Sequence, residues 1–274
     1  MKIIELRGAR VPALGLGTWQ LTGAGCTRAV RTALDIGYRH VDTAEAYGNE
    51  AEVGAGLRES GVDRGLIFLT TKVWYENLRP ADFKRSVAAS LRRLGTDYVD
   101  LLLIHWPNPS IPLGESLGAL QEVRAEGKAR FVGVSNFTVR LLKESVGKHG
   151  ADLLCDQVEY HPFLSQNAVL GYLRANDMML TAYSPLARGK VVDDPTLGAI
   201  GGKYGKNAGQ VALRWLVEQD GVAAIPRSSS ERHIRANFEI FDFELSHEDK
   251  AAIDRLAGNQ RFVSPSWAPA WDAA

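Results

Sequence analysis

Four side chains of different chemistry succeed one another in the first 105 residues: Asp42, Tyr47, Lys72 and His105. Each stands at or just beyond the end of a short apolar run. Together they suit the protonation of an oxygen that is becoming an alkoxide. A free tyrosine, with a pKa of about 10, is a poor acid near neutrality. A neighbouring ammonium favours the phenolate and lowers that value. Lys72 could act this way if Asp42 holds it in place. His105 could then hydrogen-bond the same oxygen or share its proton. Carbonyl reduction needs such a group, because hydride arriving at carbon leaves negative charge on oxygen. Taken singly, each residue has an ordinary reading: Asp42 as a turn residue, Lys72 as a solvated cation, His105 as a core imidazole, Tyr47 as a packing ring. Their shared position at successive strand ends argues for chemistry.

For the four to meet, the strand ends must lie side by side. Apolar runs predict strands at Ala13–Gly15, Arg39–Asp42, Ile67–Thr71, Val99–His105, Phe131–Ser135, Leu153–Val158, Met179–Tyr183 and Val222–Ile225. Helical periodicity fills the gaps at Cys26–Leu34, Ala81–Leu94, Leu117–Ala125, Ala168–Ala175 and Ala208–Glu218; Phe83, Val87, Leu91 and Leu94 mark one helical face. Such alternation predicts an α/β fold of the TIM type, a (β/α)8 barrel formed as one domain over residues 1–274. Active sites of such barrels lie at the C-terminal strand ends. Residues 2–12 read as a hairpin around Gly8, with Pro12 beyond it, plugging the barrel. Ser246–Leu256 reads as an extra helix capped by Ser246, followed by the tail Val263–Ala274. A doubly wound sheet is the competing architecture, but its glycine-rich nucleotide turn is missing. Gly15-Leu-Gly-Thr-Trp-Gln20 lacks a third glycine, and Gly54-Ala-Gly56 stands in a helical context; both read as turn and packing glycines.

Composition narrows the partners. Of 274 residues, 32 are basic and 32 acidic, so no overall field draws the chain to nucleic acid or to an anionic membrane. Cys26 and Cys155 form no disulfide framework and suit a reducing cytoplasm. The N-terminus reaches Glu5 and Arg7 too early for a secretory signal, and no apolar stretch is long enough to cross a membrane. Histidines at 40, 105, 149, 161, 233 and 247 make no HxH or HExxH pair, so no metal site is expected. A Schiff-base lyase using Lys72 remains a second chemistry for the same barrel, although Asp42 argues against it.

The segment Asp42-Thr-Ala-Glu-Ala-Tyr-Gly-Asn-Glu50 resembles a signature of the aldo-keto reductases. Lys72 in Thr-Thr-Lys-Val-Trp74 and His105 in Ile-His-Trp-Pro107 stand where that family has its other catalytic groups. The likeness runs on through Gly133-Val-Ser-Asn-Phe137, Gln157-Val-Glu-Tyr-His-Pro162, Ala182-Tyr-Ser-Pro-Leu186 and Ile225-Pro-Arg-Ser228. It is strongest to the compact prokaryotic branch similar to 2,5-diketo-D-gluconate reductase. The resemblance implies a cytoplasmic monomer without an obligate protein partner, reducing aldehydes and ketones, among them α-dicarbonyl and keto-sugar compounds. It implies a tetrad of Asp42, Tyr47, Lys72 and His105, and NADP(H) held without a dinucleotide-binding fold.

By the same resemblance, Ser135, Asn136 and Gln157 bind the carboxamide and Tyr183 stacks on the nicotinamide. Ser184 and Leu186 line the pyrophosphate, Arg227, Ser228, Ser229, His233 and Asn237 surround the adenosine end, and Thr18, Trp19 and Asp42 border the cofactor. His233 stands where NADPH-preferring relatives commonly carry Arg, so use of NAD(H) beside NADP(H) is expected. Trp19, Trp74 and Trp106, with Tyr47 and His105, are expected to border the substrate, and Trp267 or Trp271 to fold over the mouth. A sensor that keeps the cofactor without turnover is the alternative from another class of function.

Overall fold

The computed structural model describes residues 1–272; the last two residues of the tail, 273 and 274, lie outside them. A two-stranded antiparallel hairpin, β1 (Ile3–Leu6) and β2 (Ala9–Pro12), precedes eight parallel strands. These are β3 (Leu16–Gly17), β4 (His40–Asp42), β5 (Phe68–Val73), β6 (Val99–Ile104), β7 (Ala129–Ser135), β8 (Cys155–Glu159), β9 (Met179–Tyr183) and β10 (Val222–Ala224). They lie in chain order, each beside the next. β5 and β6 are buried along their whole length, as strands covered on both faces must be.

The first barrel strand departs from expectation. Regular pairing with β4 starts only at Leu16, whereas the expected stretch from Ala13 to Gly15 pairs with β10 instead. Gly15 N–H donates to the Ala224 carbonyl at 2.9 Å, Ala224 N–H to Ala13 at 2.8 Å, and Gly17 N–H to Pro226 at 3.0 Å. The segment thus pairs along the β10 side from Ala13 to Gly17, adds β4 from Leu16 onward, and closes the barrel. The seam is tight: a Cβ at Gly17 would lie 2.7 Å from the Ile225 carbonyl oxygen. Gly17 is therefore a packing glycine.

Among the described residues, ten α-helices cover the barrel or follow it: α1 (Gly23–Ile36), α2 (Glu50–Glu59), α3 (Pro80–Leu94), α4 (Leu113–Ala125), α5 (Val139–Lys143), α6 (Asn167–Ala175), α7 (Pro195–Tyr204), α8 (Ala208–Glu218), α9 (Glu231–Phe238) and α10 (His247–Asp254). The expected stripe of α3, Phe83, Val87, Leu91 and Leu94, is buried. Gly56 of α2 meets α1 so closely that a Cβ would stand 2.7 Å from the Thr27 carbonyl oxygen, which explains the glycines of that helix by packing. α10 is capped by Ser246, whose hydroxyl accepts from Asp249 N–H at 3.1 Å. α7 is an element that periodicity does not reveal. Its glycines blunt the helical signal, yet Asp194 caps it and Pro195 opens it.

The hairpin sits at the N-terminal end of the barrel strands. Pro12 is the last residue of the ladder, opposite Ile3, rather than beyond it, and its carbonyl meets His40 Nδ1 at 3.1 Å. Lys2 Nζ donates to the Val217 and Gln219 carbonyls at the end of α8, where the helix dipole favours a cation.

Candidate active site

Asp42 is the last residue of β4 and Lys72 the last but one of β5, so adjacent strands deliver both to the C-terminal rim. Lys72 Nζ, with its side chain wholly buried, donates to Asp42 Oδ1 at 2.6 Å, to the Thr43 carbonyl at 2.8 Å and to Tyr47 Oη at 3.3 Å. Gln157 Nε2, from β8 across the barrel, donates to Asp42 Oδ2 at 2.7 Å. Both oxygens of a sealed carboxylate are thereby engaged. Burial alone would push Lys72 toward neutrality, but Asp42 and then Tyr47 outweigh it and hold its pKa above the ordinary lysine value.

Tyr47 ends a single 3-10 turn, Glu45–Tyr47, placed directly after β4. The Glu45 carboxylate accepts from Trp74 N–H and from Asn77 Nδ2, tying this turn to the one after β5. Behind it, buried Asn49 accepts from Thr43 Oγ1 at 2.9 Å and donates to the Thr18 and Leu21 carbonyls at 2.8 and 2.9 Å. Buried Glu50 accepts from Thr71 Oγ1 and from Arg93. Glu45, Asn49 and Glu50 frame the turn, although sequence reading gave a role only to Asp42 and Tyr47 in this segment. Their place within residues 42–50, in the same short segment as Tyr47, is the signal that would have found them.

The pKa of Tyr47 moves opposite to the expected direction. Burial raises it, and the ammonium of Lys72 only moderates the rise, with Asp42 adding to it. The phenol therefore stays protonated through the neutral range. Burial, and then the charge of Lys72, put His105 well below the ordinary histidine value, so its imidazole is neutral. Its Nδ1 is buried without a partner. An unmade acceptor there costs less than a stranded N–H, so the proton belongs on Nε2. Its ring packs edge-on to Tyr47 and Trp74, with centroids 5.6 and 5.2 Å apart.

A cavity of about 520 Å³ opens at this rim. The structure brings to its wall Thr18, Trp19, Asp42, Tyr47, Trp74, His105, Trp106, Ser135, Asn136, Gln157, Tyr183, Ser184 and Arg227. Leu186, Ser228, Ser229, His233 and Asn237 lie outside this lining. Ser228 and Asn237 are buried, while Ser229 and His233 are exposed beyond Arg227. Ser135 Oγ donates to the Gln157 carbonyl at 2.7 Å, Asn136 Nδ2 to the His105 carbonyl at 2.9 Å, and Tyr183 Oη to Asn136 Oδ1 at 2.7 Å. Asn136 and Ser184 hold φ of 64° and 48°, strained values for non-glycine residues.

Sequence reading missed two parts of the wall. Arg188, at φ 52°, lies over the Trp19 ring at 5.4 Å, while Arg227 Nε donates to the Trp19 carbonyl at 3.2 Å. Phe262, Val263, Ser264 and Pro265 form a strap along the cavity. The Glu159 carboxylate anchors it, accepting from Phe262 and Val263 N–H at 2.8 and 2.9 Å. Neither tail tryptophan is part of the lining. Trp267 stacks on Tyr75 at 5.4 Å and meets Trp74 edge-on at 6.4 Å, and Trp271 packs on Trp106 at 6.0 Å, so both support the lining tryptophans. Trp19 also stands apart from Trp74 and Trp106, across the opening after β3.

The cavity lining suits the nicotinamide and phosphate parts of a nicotinamide dinucleotide. Ser135, Asn136 and Gln157 offer an amide-binding floor, Tyr183 offers a ring, and the guanidinium groups of Arg188 and Arg227 suit phosphates. Among the described residues, no group of three His, Cys, Asp or Glu side chains is placed to hold a metal ion, and no helix is long and apolar enough to cross a membrane.

A parallel barrel carrying an acid-bearing pocket beside a nicotinamide-sized cleft defines an oxidoreductase that acts on carbonyl groups. Comparison with known proteins makes the class definite: the model of the aldo/keto reductase family matches residues 13–257. Methylglyoxal reductase DkgB of Salmonella typhimurium is 41% identical over 266 residues, covering 96% of this chain and 99% of the relative. Glyoxal reductase of Bacillus subtilis is 41% identical over 260 residues, covering 94% and 93%. A crystal structure named as that of a candidate 2,5-diketo-D-gluconic acid reductase B superposes with a TM-score of 0.97 at 49% identity, covering 100% and 98%. The chain belongs to the aldo/keto reductase family.

Proposed function

We propose that the chain, working as one domain over residues 1–274, reduces aldehydes and ketones to alcohols with Tyr47 as the proton donor. Its substrates would include the α-dicarbonyl and keto-sugar compounds named for its relatives. The observation that carries this is the Lys72 ammonium, sealed between Asp42 and the phenol of Tyr47 at the cavity wall. When bound, the nicotinamide supplies hydride to the carbonyl carbon. His105, neutral and protonated at Nε2, donates to the carbonyl oxygen and orients it. Tyr47 gives its proton to that oxygen as charge develops there. Lys72 stabilises the phenolate left behind, and Asp42 keeps Lys72 charged. Ser135, Asn136, Gln157 and Tyr183 would hold the carboxamide and ring of the cofactor.

NADP(H) is the favoured cofactor in this reading, because Arg227 brings an exposed cation to the outer end of the cleft. NAD(H) is tolerated, because His233 adds no permanent charge there. In this reading Leu186 lines the pyrophosphate, and Ser228, Ser229, His233 and Asn237 surround the adenosine end beside Arg227. Two buried free cysteines suit a cytoplasmic location. The test is loss of nicotinamide absorbance with NADPH and with NADH, using methylglyoxal and an aromatic aldehyde. Tyr47→Phe should lower kcat about 10²–10⁴-fold while cofactor affinity, read by fluorescence quenching, stays near that of the parent. Near-normal turnover by that variant would remove Tyr47 from its role.

A further inference from the structure

The phenol of Tyr47 reaches Lys72 from outside the strand ladder. Asp42 and Lys72 stand on neighbouring strands, β4 and β5, whose main chains pair up to Asp42 and Thr70, with Thr43 N–H donating to the Thr70 carbonyl at 2.9 Å. The ladder therefore fixes the backbones of these two relative to each other. It does not extend to Tyr47, which ends the 3-10 turn Glu45–Tyr47. The main-chain bonds of that turn stay local: Tyr47 N–H donates to the Ala44 carbonyl at 3.1 Å and Gly48 N–H to the Glu45 carbonyl at 3.2 Å. Among the described residues, two side chains of residues 44–48 form hydrogen bonds beyond this stretch. One is Tyr47 itself, with Lys72; the other is Glu45, whose Oε1 accepts from Trp74 N–H and from Asn77 Nδ2. Ala44 is buried, but apolar packing has no direction with which to aim a ring. Asn49 and Glu50 hold the chain only beyond Gly48, which is left-handed at φ 66°.

Resting on the carbonyl-reductase reading, we propose that Glu45 is a positioning residue for proton transfer: it holds the phenol of Tyr47 against Lys72 and in fixed relation to the cavity wall. The contact of Tyr47 with Lys72, at 3.3 Å, is longer than that of Lys72 with Asp42, at 2.6 Å, so the phenol is the loosely held member of the group. Glu45 ties its turn to Trp74, just past Lys72 in the chain, and Trp74 lines the cavity and meets His105 edge-on at 5.2 Å. One carboxylate thus sets the proton donor and the ring beside the orienting imidazole in a single frame. A reacting group displaced by about 1 Å can lose about 10²-fold in rate. Both donors meet the same oxygen of Glu45, so the role calls for an acceptor rather than a charge, and an amide oxygen could fill it.

The test is a double-mutant cycle on methylglyoxal reduction with saturating NADPH. Glu45→Ala should lower kcat by about 10- to 100-fold in the parent protein. In Tyr47→Phe, where no phenol remains to be misplaced, the same change should lower the residual rate by less than about twofold. Glu45→Gln should recover most of the lost rate, and NADPH affinity, read by fluorescence quenching, should match the parent in both Glu45 variants. Glu45→Leu, which keeps bulk without an acceptor, replaces Glu45→Ala in the cycle if urea unfolding shows the alanine variant to be unfolded. A loss of equal size in both backgrounds would make Glu45 a general support of the fold and overturn the proposal. So would a parental kcat in the variant that lacks the acceptor, or a Glu45→Gln variant as slow as Glu45→Ala. Failure of the parent protein to reduce methylglyoxal or an aromatic aldehyde, or near-normal turnover by Tyr47→Phe, would instead overturn the reductase reading beneath it.

Discussion

Two carboxylates at opposite ends of the same barrel carry comparable burial to different ends. Asp100, near the start of β6, accepts from Leu69 N–H at 3.0 Å, from Arg64 at 2.8 Å and from Arg130 at 3.1 Å. Both guanidinium groups lie 4.3 Å from the Tyr98 ring. Asp42, at the end of β4, has one lysine and one amide. The lower cluster uses planar cations that remain partly in water and can only hold. The upper one uses an ammonium sealed from water, and one of its contacts goes to a hydroxyl facing a cavity. Burial and charge are common to both ends. What separates them is whether a proton that could leave stands within reach of the cation.

The contrast breaks most visibly at Lys72. Lys72→Met should cut kcat by at least about 10²-fold, the scale of a lost acid–base device. It also strands Asp42 with Gln157 as its remaining side-chain partner, at a stability cost of about 3–5 kcal/mol. A pH–rate profile separates the two effects. Because Lys72 moderates the raised pKa of Tyr47, the alkaline fall in activity should move to higher pH in the folded variant. An unmoved limb would deny the electrostatic link. Lys72 has a further signature in the parent protein. Its folded pKa lies above the unfolded value, so its contribution to stability is complete below that value and fades as pH rises through the folded one.

A third carboxyl sharpens the comparison, since it has almost nothing. Asp156, the neighbour of Gln157 on β8, is fully buried; its Oδ2 is unpartnered and its Oδ1 takes only a long bond from Phe137 N–H at 3.4 Å. Burial raises its pKa well above the ordinary carboxylate value, so the folded protein holds a proton that the unfolded chain releases. Stability must then fall as pH climbs from the unfolded pKa toward the folded one. Asp156→Asn should remove that slope and leave the protein about 1–3 kcal/mol more stable near neutral pH, read by urea unfolding at two pH values. A destabilised variant would mean that Asp156 has a partner in solution. The smallest effect belongs to the lower cluster. Arg130→Ala should cost about 0–1 kcal/mol and leave kcat unchanged, because Arg64 and Leu69 still hold Asp100. A loss of turnover would show that the two ends are coupled.

The upper cluster was legible in the sequence because barrel strands are short apolar runs, and the residue that ends each run lands on one rim. Asp42, Lys72 and His105 could be placed by that rule alone, and Tyr47 by its nearness to Asp42. The first strand was displaced because residues 13–17 pair on the β10 side throughout but with β4 only from Leu16, a difference that a five-residue apolar stretch does not encode. α7 was hidden by glycines. The strap was illegible for a different reason: Glu159 holds it through main-chain N–H groups, which leave no trace in side-chain pattern. Arg188 was overlooked because its place over Trp19 depends on a left-handed run at 187–189 that no local motif announces.

That main-chain grip has a consequence for how such a pocket changes over generations. Since the carboxylate of Glu159 reads the backbone at residues 262 and 263, it is indifferent to which side chains those positions carry. The strap behaves like a cassette: its cavity-facing residues can be exchanged while its mooring stays in place. Selection for a new carbonyl compound could therefore act on the few codons of the strap, leaving those of Asp42, Tyr47, Lys72 and His105 untouched.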